Sequence, residues 1–318
     1  MRALRCYRAY GVEVVSEIDL PEFVAWDGRG RRPSGPPISI RIGRVPDTLA
    51  GATGDGFLQA RFDAFLLNVD GVGRYLVQNG AEVVIEPAVE ASEHDIRVYL
   101  LGSCIGGLLH QRGMLVLHAS AIANADGATL LCGHSGAGKS TLLGELLGRG
   151  HRMLVDDVCA ISAEGAGRLM VEPAYPRTRL WADAARKLGR DVAGLPRTQP
   201  GMDKYELQVP EHFWDAPAAL RRIYVLTSSE RDDLRLEQLP AVERFATLLD
   251  HTYRREFLTG LALQPRHFEL AAAAARAVPI TRVARPAEPF RLSELADLIE
   301  RDLVASQALP ASGGRIGH

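Results

Sequence analysis

Cysteine is scarce in this chain of 318 residues, and its four copies, Cys6, Cys104, Cys132 and Cys159, stand far apart. They form no CxxC pair and no Cys/His spacing that would build a zinc site, so the thiols read as structural. Long apolar runs are missing too. The longest, Tyr99–Leu109, is too short to span a bilayer. The N-terminal MRALRCYRAYGVEVV lacks an apolar stretch followed by a small-residue cleavage site. No membrane association is therefore expected, and a reducing cytoplasm fits both features. Charge of one sign is not in excess either: the formal net charge is −2 with scattered basic residues, which argues against a nucleic-acid partner. At 47% hydrophobic and 24% charged, the chain has enough apolar material to fold without a partner.

What is present divides the chain into two expected units and a tail. Residues 1–108 read as a β-rich domain with extended pieces at Gly11–Glu17, Ile38–Ile42 and Gly73–Pro87. Within the last piece Asn79-Gly80 predicts a hairpin, because both residues tolerate the positive φ of a tight primed turn. A helical pattern over Ile96–Gln111 follows. From there to residue 308, apolar strands alternate with helical stretches, the pattern of an α/β layer fold. Strands are expected at Met114–Ala119, Ala128–Cys132, Arg152–Val155, Leu169–Glu172, Arg222–Leu226, Leu234–Leu239 and Ile280–Ala284. Helices are expected at Lys139–Arg149, Trp181–Leu188, Val242–Leu258, His267–Ala277 and Leu292–Ala305. The polar segment Arg190–Asp203 carries Gly and Pro and reads as a mobile loop, and residues 309–318 read as a disordered tail.

The run GHSGAGKST completes the pattern G-x-x-x-x-G-K-[ST] with Gly133, His134, Ser135, Gly136, Ala137, Gly138, Lys139, Ser140 and Thr141. An apolar strand precedes it and an amphipathic helix follows. Backbone amides thus converge at a helix N-terminus, where they and the helix dipole attract phosphate oxygens. Lys139 would reach the β- and γ-phosphates, and the Ser140 hydroxyl would ligate magnesium. The loop does not encode base identity.

After the helix, RGHRMLVDDVCAI ends an apolar strand at Asp156-Asp157. One carboxylate there would hold magnesium beside Ser140, and the other would take the proton of an attacking hydroxyl. Mutual repulsion is expected to raise the pKa of one of them. A solvated strand-end turn is the plainer alternative. His118, in GMLVLHASAIA, lies on the strand before the loop, where a lone histidine is more often a packed core residue.

The combined spacing, with His118 fifteen positions before Gly133, then GHSGAGKS, then RGHRMLVDD, resembles the C-terminal domain of HPr kinase/phosphorylase. That resemblance implies a P-loop core of the HPr kinase/phosphoenolpyruvate carboxykinase type with a smaller β-rich N-terminal domain. It implies ATP at Gly133–Thr141, magnesium at Ser140 and Asp157, the base at Asp156, and His118 and Lys139 in the active site. It covers Gly113–Ile161 strongly. The glycine-rich signature that the family carries after its Asp pair has no counterpart, so a phosphorylase reaction is not implied; the family's N-terminal domain is not recognisable in residues 1–100, so HPr need not be the substrate. A likeness across most of the chain is to the HPr-kinase-like lasso-peptide kinases, through YRAYGVEVVSEIDLPEF, LGSCIGGLLHQRGMLVLHASAI and YPRTRLW. It implies phosphorylation of a serine hydroxyl on a precursor peptide. A small-metabolite kinase, a carboxykinase-like enzyme and a nucleotide-binding regulatory protein stay open, as does homo-oligomerisation.

Three further cations are candidates for binding phosphate or a substrate carboxylate. Arg177 and Arg179 offer planar donor forks, and Lys204 follows the expected mobile loop. Solvated surface residues are the alternative for all three. His251, Arg254 and Arg255 are expected on the polar face of one long helix.

Overall fold

The computed structural model describes residues 3–29, 33, 35–165, 167–187, 189, 191–195, 197, 203–286 and 291–307. The expected tail, 309–318, lies outside the described residues, as does much of Arg190–Asp203. The fold is mixed α/β, with more than one sheet.

The first sheet has nine strands: β1 (Arg5–Ala9), β2 (Val12–Ser16), β3 (Val24–Ala25), β4 (Ile38–Ile42), β5 (Thr53–Gly54), β6 (Leu58–Arg61), β7 (Ala64–Val69), β8 (Gly73–Gln78) and β9 (Glu82–Pro87). Their spatial order is β3-β1-β2-β4-β9-β8-β7-β6-β5. The expected hairpin joins β8 to β9, and Asn79 and Gly80 have φ of 56° and 60°, the left-handed values a primed turn needs. Burial alternates along β8, where Gly73, Tyr75 and Val77 are covered, but is almost continuous along β7, which is apolar at both faces.

The helical stretch over Ile96–Gln111 is present as α1 (Glu93–Tyr99), a π turn at Leu100–Cys104 and α2 (Ile105–Gln111). The Ser92 side chain caps α1 by accepting from the Asp95 N–H. This run is packed between the two large sheets. A single apolar core passes from Phe65 and Tyr75 through Leu101 and Leu108 to Leu117 and Val158.

The second sheet contains β10 (Leu115–Asn124), β11 (Gly127–Cys132), β12 (Arg152–Glu164), β13 (Arg168–Val171), β16 (Ala218–Ser229), β17 (Arg235–Gln238) and β18 (Ile280–Pro286). They lie in the order β11-β10-β12-β13-β16-β18-β17, and β16 also pairs with β11, so five strands close on themselves. A separate ribbon is formed by β14 (Arg177–Trp181) and β15 (Lys204–Gln208). The remaining helices are α3 (Lys139–Gly148), α4 (Ala182–Lys187), α5 (Ala241–Asp250), α6 (Glu256–Gly260), α7 (Gln264–Ala277) and α8 (Leu292–Gln307). Leu142, Leu143, Leu146 and Leu147 of α3 bury themselves with Leu295 and Ile299 of α8 in a second core.

The layer after residue 113 is a mixed sheet in which β11/β16 and β16/β18 are parallel while β10 runs antiparallel to β11 and β12. Two expectations need correction. The Asp pair does not end its strand, because β12, 13 residues long, runs through it to Glu164. Secondly, Val242–Leu258 is not one helix. The chain leaves α5 at His251 because β10 pairs with it: the His118 N–H donates to the His251 carbonyl at 2.8 Å and the Tyr253 N–H to that of Val116 at 3.0 Å. Arg254, at φ 48°, then turns the chain into α6. Among the described residues no helix is long and apolar enough to cross a membrane, and the four cysteines are free.

Gly107 on α2 marks how closely the helical run meets the first sheet. A Cβ there would stand 2.5 Å from the Phe65 ring and 2.8 Å from the Phe257 ring. Alanine normally gains about 0.5–1 kcal/mol over glycine inside a helix, but overpacking costs about 1–3 kcal/mol. Gly107→Ala is therefore expected to lower the urea midpoint, by about 1 kcal/mol of stability, with an unchanged m value; a midpoint at or above wild type would show that this contact is slack.

Candidate active site

The phosphate-binding candidate is built where β11 runs head-on into α3. Gly133, Gly136 and Gly138 have φ of 152°, 82° and 95°. At Gly133 space is limiting as well, since a Cβ would come within 2.9 Å of the Ala137 Cβ and 3.0 Å of the Leu226 carbonyl. Lys139 is 7% exposed and curls back over the loop, donating from Nζ to the carbonyls of Gly133 at 2.6 Å and His134 at 3.3 Å. Burial lowers its pKa against the opposing pull of Asp156. Arg285, at the end of β18, holds the loop from outside: Nε and Nη2 donate to the Ala137 carbonyl at 3.1 and 2.9 Å. Nothing local in the sequence marks Arg285 for this task.

The two aspartates have different surroundings. Asp156 is 8% exposed. Its Oδ1 accepts from the hydroxyls of Ser120 at 2.6 Å and Ser140 at 3.1 Å. Its Oδ2 accepts from the Thr178 hydroxyl at 2.8 Å and the Arg179 N–H at 3.2 Å. Ser120 is its direct cross-strand neighbour in the β10/β12 register. Asp157 has φ 98°. In a regular strand successive side chains point to opposite faces; the positive φ accompanies the presence of both carboxylates on one cleft. Oδ1 of Asp157 lies 2.9 Å from His118 Nδ1, and Oδ2 lies 3.5 Å from Arg179 Nη1. Burial pushes the Asp157 pKa up, but the His118 hydrogen bond and charge, with Arg179 and Arg177, override it and hold it at about 2. The raised value expected from carboxylate repulsion is thus not found at Asp157, because cations face it.

A cleft of ≈ 840 Å³ gathers His118, Lys139, Ser140, both aspartates, Arg179 and Lys204. Arg177 is absent from its walls. That side chain is buried and donates to Glu206 Oε1 at 2.9 Å, the same oxygen that receives Arg179 Nε at 3.1 Å. Arg177 instead borders a second pocket of ≈ 580 Å³, which shares His118, Asp157 and Arg179 with the cleft and adds Tyr253, Arg254 and Arg255. Arg254 and Arg255 were not picked out by sequence as site residues, since the turn that brings them here was hidden inside an expected helix. His251 is buried rather than on a polar helix face.

No protein-family model matches this chain, and no curated protein matches it. Among solved structures it is similar to the HPr(Ser) kinase/phosphatase from Coxiella burnetii. The TM-score is 0.34 at 14% identity, covering 60% of this chain and 92% of that one. A likeness at this level carries no functional inference, so the chemistry rests on the site.

The oxygen donors of Ser140 and Asp156, side by side on the cleft, suit a hard cation such as magnesium, because rotation of the Ser140 hydroxyl frees one acceptor position on Asp156 Oδ1 while Ser120 keeps the other. The loop offers amides and Lys139 to an anion. Asp157, oriented by His118 and Arg179, is an acceptor-only carboxylate at the junction of two pockets.

Two outcomes follow from Asp157. Its backbone is in a region that costs a side-chain-bearing residue about 1 kcal/mol or more, so Asp157→Gly should unfold at higher urea than Asp157→Ala, by about 1 kcal/mol. Both lose the carboxylate, and the usual strand preference for alanine over glycine would give the opposite order. The second outcome concerns acid. The carboxyl protonates near 3.8 when unfolded and near 2 when folded. Its stabilisation is therefore complete above 3.8 and lost as pH falls through about 2. Asp157→Asn should flatten the acid limb of stability against pH in that window, and identical acid limbs would remove the His118–Asp157 pair from the account.

Proposed function

We propose that the chain is an ATP- and magnesium-dependent kinase that phosphorylates a hydroxyl group, with a serine of a peptide as acceptor. The observation that carries this reading is the position of the His118–Asp157 pair on the wall common to the phosphate cleft and the second pocket. A triphosphate lying over the α3 N-terminus and Lys139 would bring its γ-phosphate towards that wall, and an acceptor entering from the second pocket would meet it from the other side. ATP as donor and a peptide serine as acceptor are supported by the motif resemblance, through His118, GHSGAGKS and the Asp pair.

The proton inventory is simple. The acceptor O–H bond breaks as its oxygen bonds to the γ-phosphorus, ADP leaves, and the proton goes to Asp157. A carboxylate held at about 2 is a weak base, but a loose phosphoryl-transfer transition state asks little of the base, and the triphosphate's negative charge raises the pKa of any carboxylate beside it. Magnesium, held by Ser140 and Asp156, would neutralise charge on the β- and γ-phosphates. This division reverses the roles that the resemblance implied for the two aspartates. It is favoured by Asp156 having its acceptor positions filled and touching Ser140, while Asp157 faces both pockets. Arg179 and Lys204 line the phosphate cleft and would steady the transferring group, and Arg177 would act through Glu206 and Arg179.

Substitutions should separate three effects. Lys139→Ala is expected to weaken nucleotide binding by about tenfold or more without changing the fold. Asp157→Asn and His118→Ala should leave nucleotide affinity nearly intact and lower phosphoryl transfer by about 100-fold. Arg254→Ala should raise the KM for the peptide alone. Mass spectrometry of a panel of serine peptides, some with the serine next to a free C-terminus, reads the acceptor directly. An unmodified panel beside efficient phosphorylation of a small metabolite would overturn the peptide assignment.

A further inference from the structure

Beside this chemistry lies a cluster of side chains that the kinase reading leaves unused. His134 is the second residue of the glycine-rich loop, Asp250 is the last residue of α5, and His251 follows it. One ligand atom from each lies within 4.8 Å of the other two. His134 Nε2 stands 3.1 Å from Asp250 Oδ2, and the two imidazole centroids are 5.0 Å apart. We propose that His134, Asp250 and His251 form a binding site for a transition-metal ion of the zinc class, at the mouth of the phosphate-binding loop.

Geometry and chemistry agree on this choice. Bonds of about 2.0–2.2 Å to nitrogen and oxygen bring the donors around one zinc ion to about 3–4 Å from each other, so the present spacing needs only a small contraction. The side chains able to make it are the exposed ones, His134 at 73% and Asp250 at 62%. His251, at 6%, is the fixed member. Its backbone carbonyl is tied to the His118 N–H, which fixes the turn that carries it. Two imidazoles with one carboxylate suit zinc, nickel, copper or iron, whereas magnesium prefers the all-oxygen donors of Ser140 and Asp156. The two sites would thus take different ions in one solution. A plain ion pair between His134 and Asp250, both well exposed, is worth little and gives no role to the buried ring of His251.

Three protein donors also leave a coordination position open, as in zinc sites that exchange a fourth ligand. The bound ion would link the loop to the α5 end, and through His251 to the strand that carries His118. It would therefore hold the loop in one conformation. This inference does not depend on the identity of the phosphate acceptor, and it stands even if the chain transfers no phosphate.

The test uses tag-free full-length protein in a magnesium-containing buffer. Titration with cobalt, a spectroscopic substitute for zinc, should give a ligand-field spectrum saturating at one ion per chain and displaced by one equivalent of zinc. Asp250→Asn and His251→Gln should each weaken cobalt binding by at least about tenfold, since loss of even an outer-shell partner costs that much. His151→Gln, which disturbs a histidine paired with Glu300 elsewhere, should leave it unchanged. Asp250 is exposed, so its variant keeps the fold and the test does not hinge on a buried substitution. Failure to saturate at one equivalent overturns the proposal. So does binding that survives both ligand substitutions, which would place the ion among the other histidines of this nine-histidine chain.

Discussion

One buried carboxylate organises this molecule. Asp156 draws hydrogen bonds from Ser120 on β10, Ser140 on α3, and Thr178 and Arg179 on β14. A buried charge without partners is costly by several kcal/mol, so the elements that carry those donors are fixed relative to β12 by a requirement stronger than apolar contact. The consequence reaches beyond Asp156. Ser140 lies in the first turn of α3, at the N-terminal end of that helix, and Arg179 is the residue whose guanidinium turns towards Asp157. The same four contacts that satisfy one aspartate therefore set the distance from the glycine-rich loop to the other.

The arginine pair on β14 extends this logic. Arg177 and Arg179 are two residues apart in one strand, so they project to the same side. Two cations there would repel, and Glu206 on the partner strand receives both at one oxygen. Although burial works against its charged form, the arginines keep Glu206 below the usual carboxylate range. With its charge shared in this way, Arg179 is still directed at Asp157, and Arg177 remains beside Tyr175, where its guanidinium lies 5.3 Å from the ring centroid. Only one of the two arginines faces the cleft beside the glycine-rich loop, although sequence presents them as equivalents.

What could be read from the sequence was local. The turn between β11 and α3 is legible because Gly133, Gly136 and Gly138, all at positive φ, mark it within one short segment. Asn79-Gly80 is legible for the same reason, since two residues alone set the turn. The nearness of His118 and Asp157 depends on register between β10 and β12, which no single segment encodes. It came into view only through spacing shared with a known family. The positive φ at Asp157 gives no signal, because aspartate is also ordinary at strand ends. The break after Asp250 was hidden by good helical periodicity on both sides, and it arises from pairing between His251–Tyr253 and β10. That break places Arg254 and Arg255 at the second pocket, so the most consequential miss was a tertiary effect overriding local propensity.

If the chain is the kinase proposed, the contrast between the two aspartates would favour transfer to a hydroxyl over loss to water. Asp156 has no acceptor position to spare until the Ser140 hydroxyl turns away, so its availability is coupled to what occupies the loop. Asp157 is held by His118 and Arg179, which keep its carboxyl below the usual carboxylate range. On the proposed reading, a carboxyl held at about 2 would be a weak base towards water. Negative charge brought by a nucleotide would strengthen it as a proton acceptor, and the second pocket would select the hydroxyl that reaches it. Base strength would thus depend on nucleotide, and access on acceptor. That dependence would follow from placing one carboxylate, held by His118 and Arg179, between two pockets, with the other beside Ser140 on the cleft.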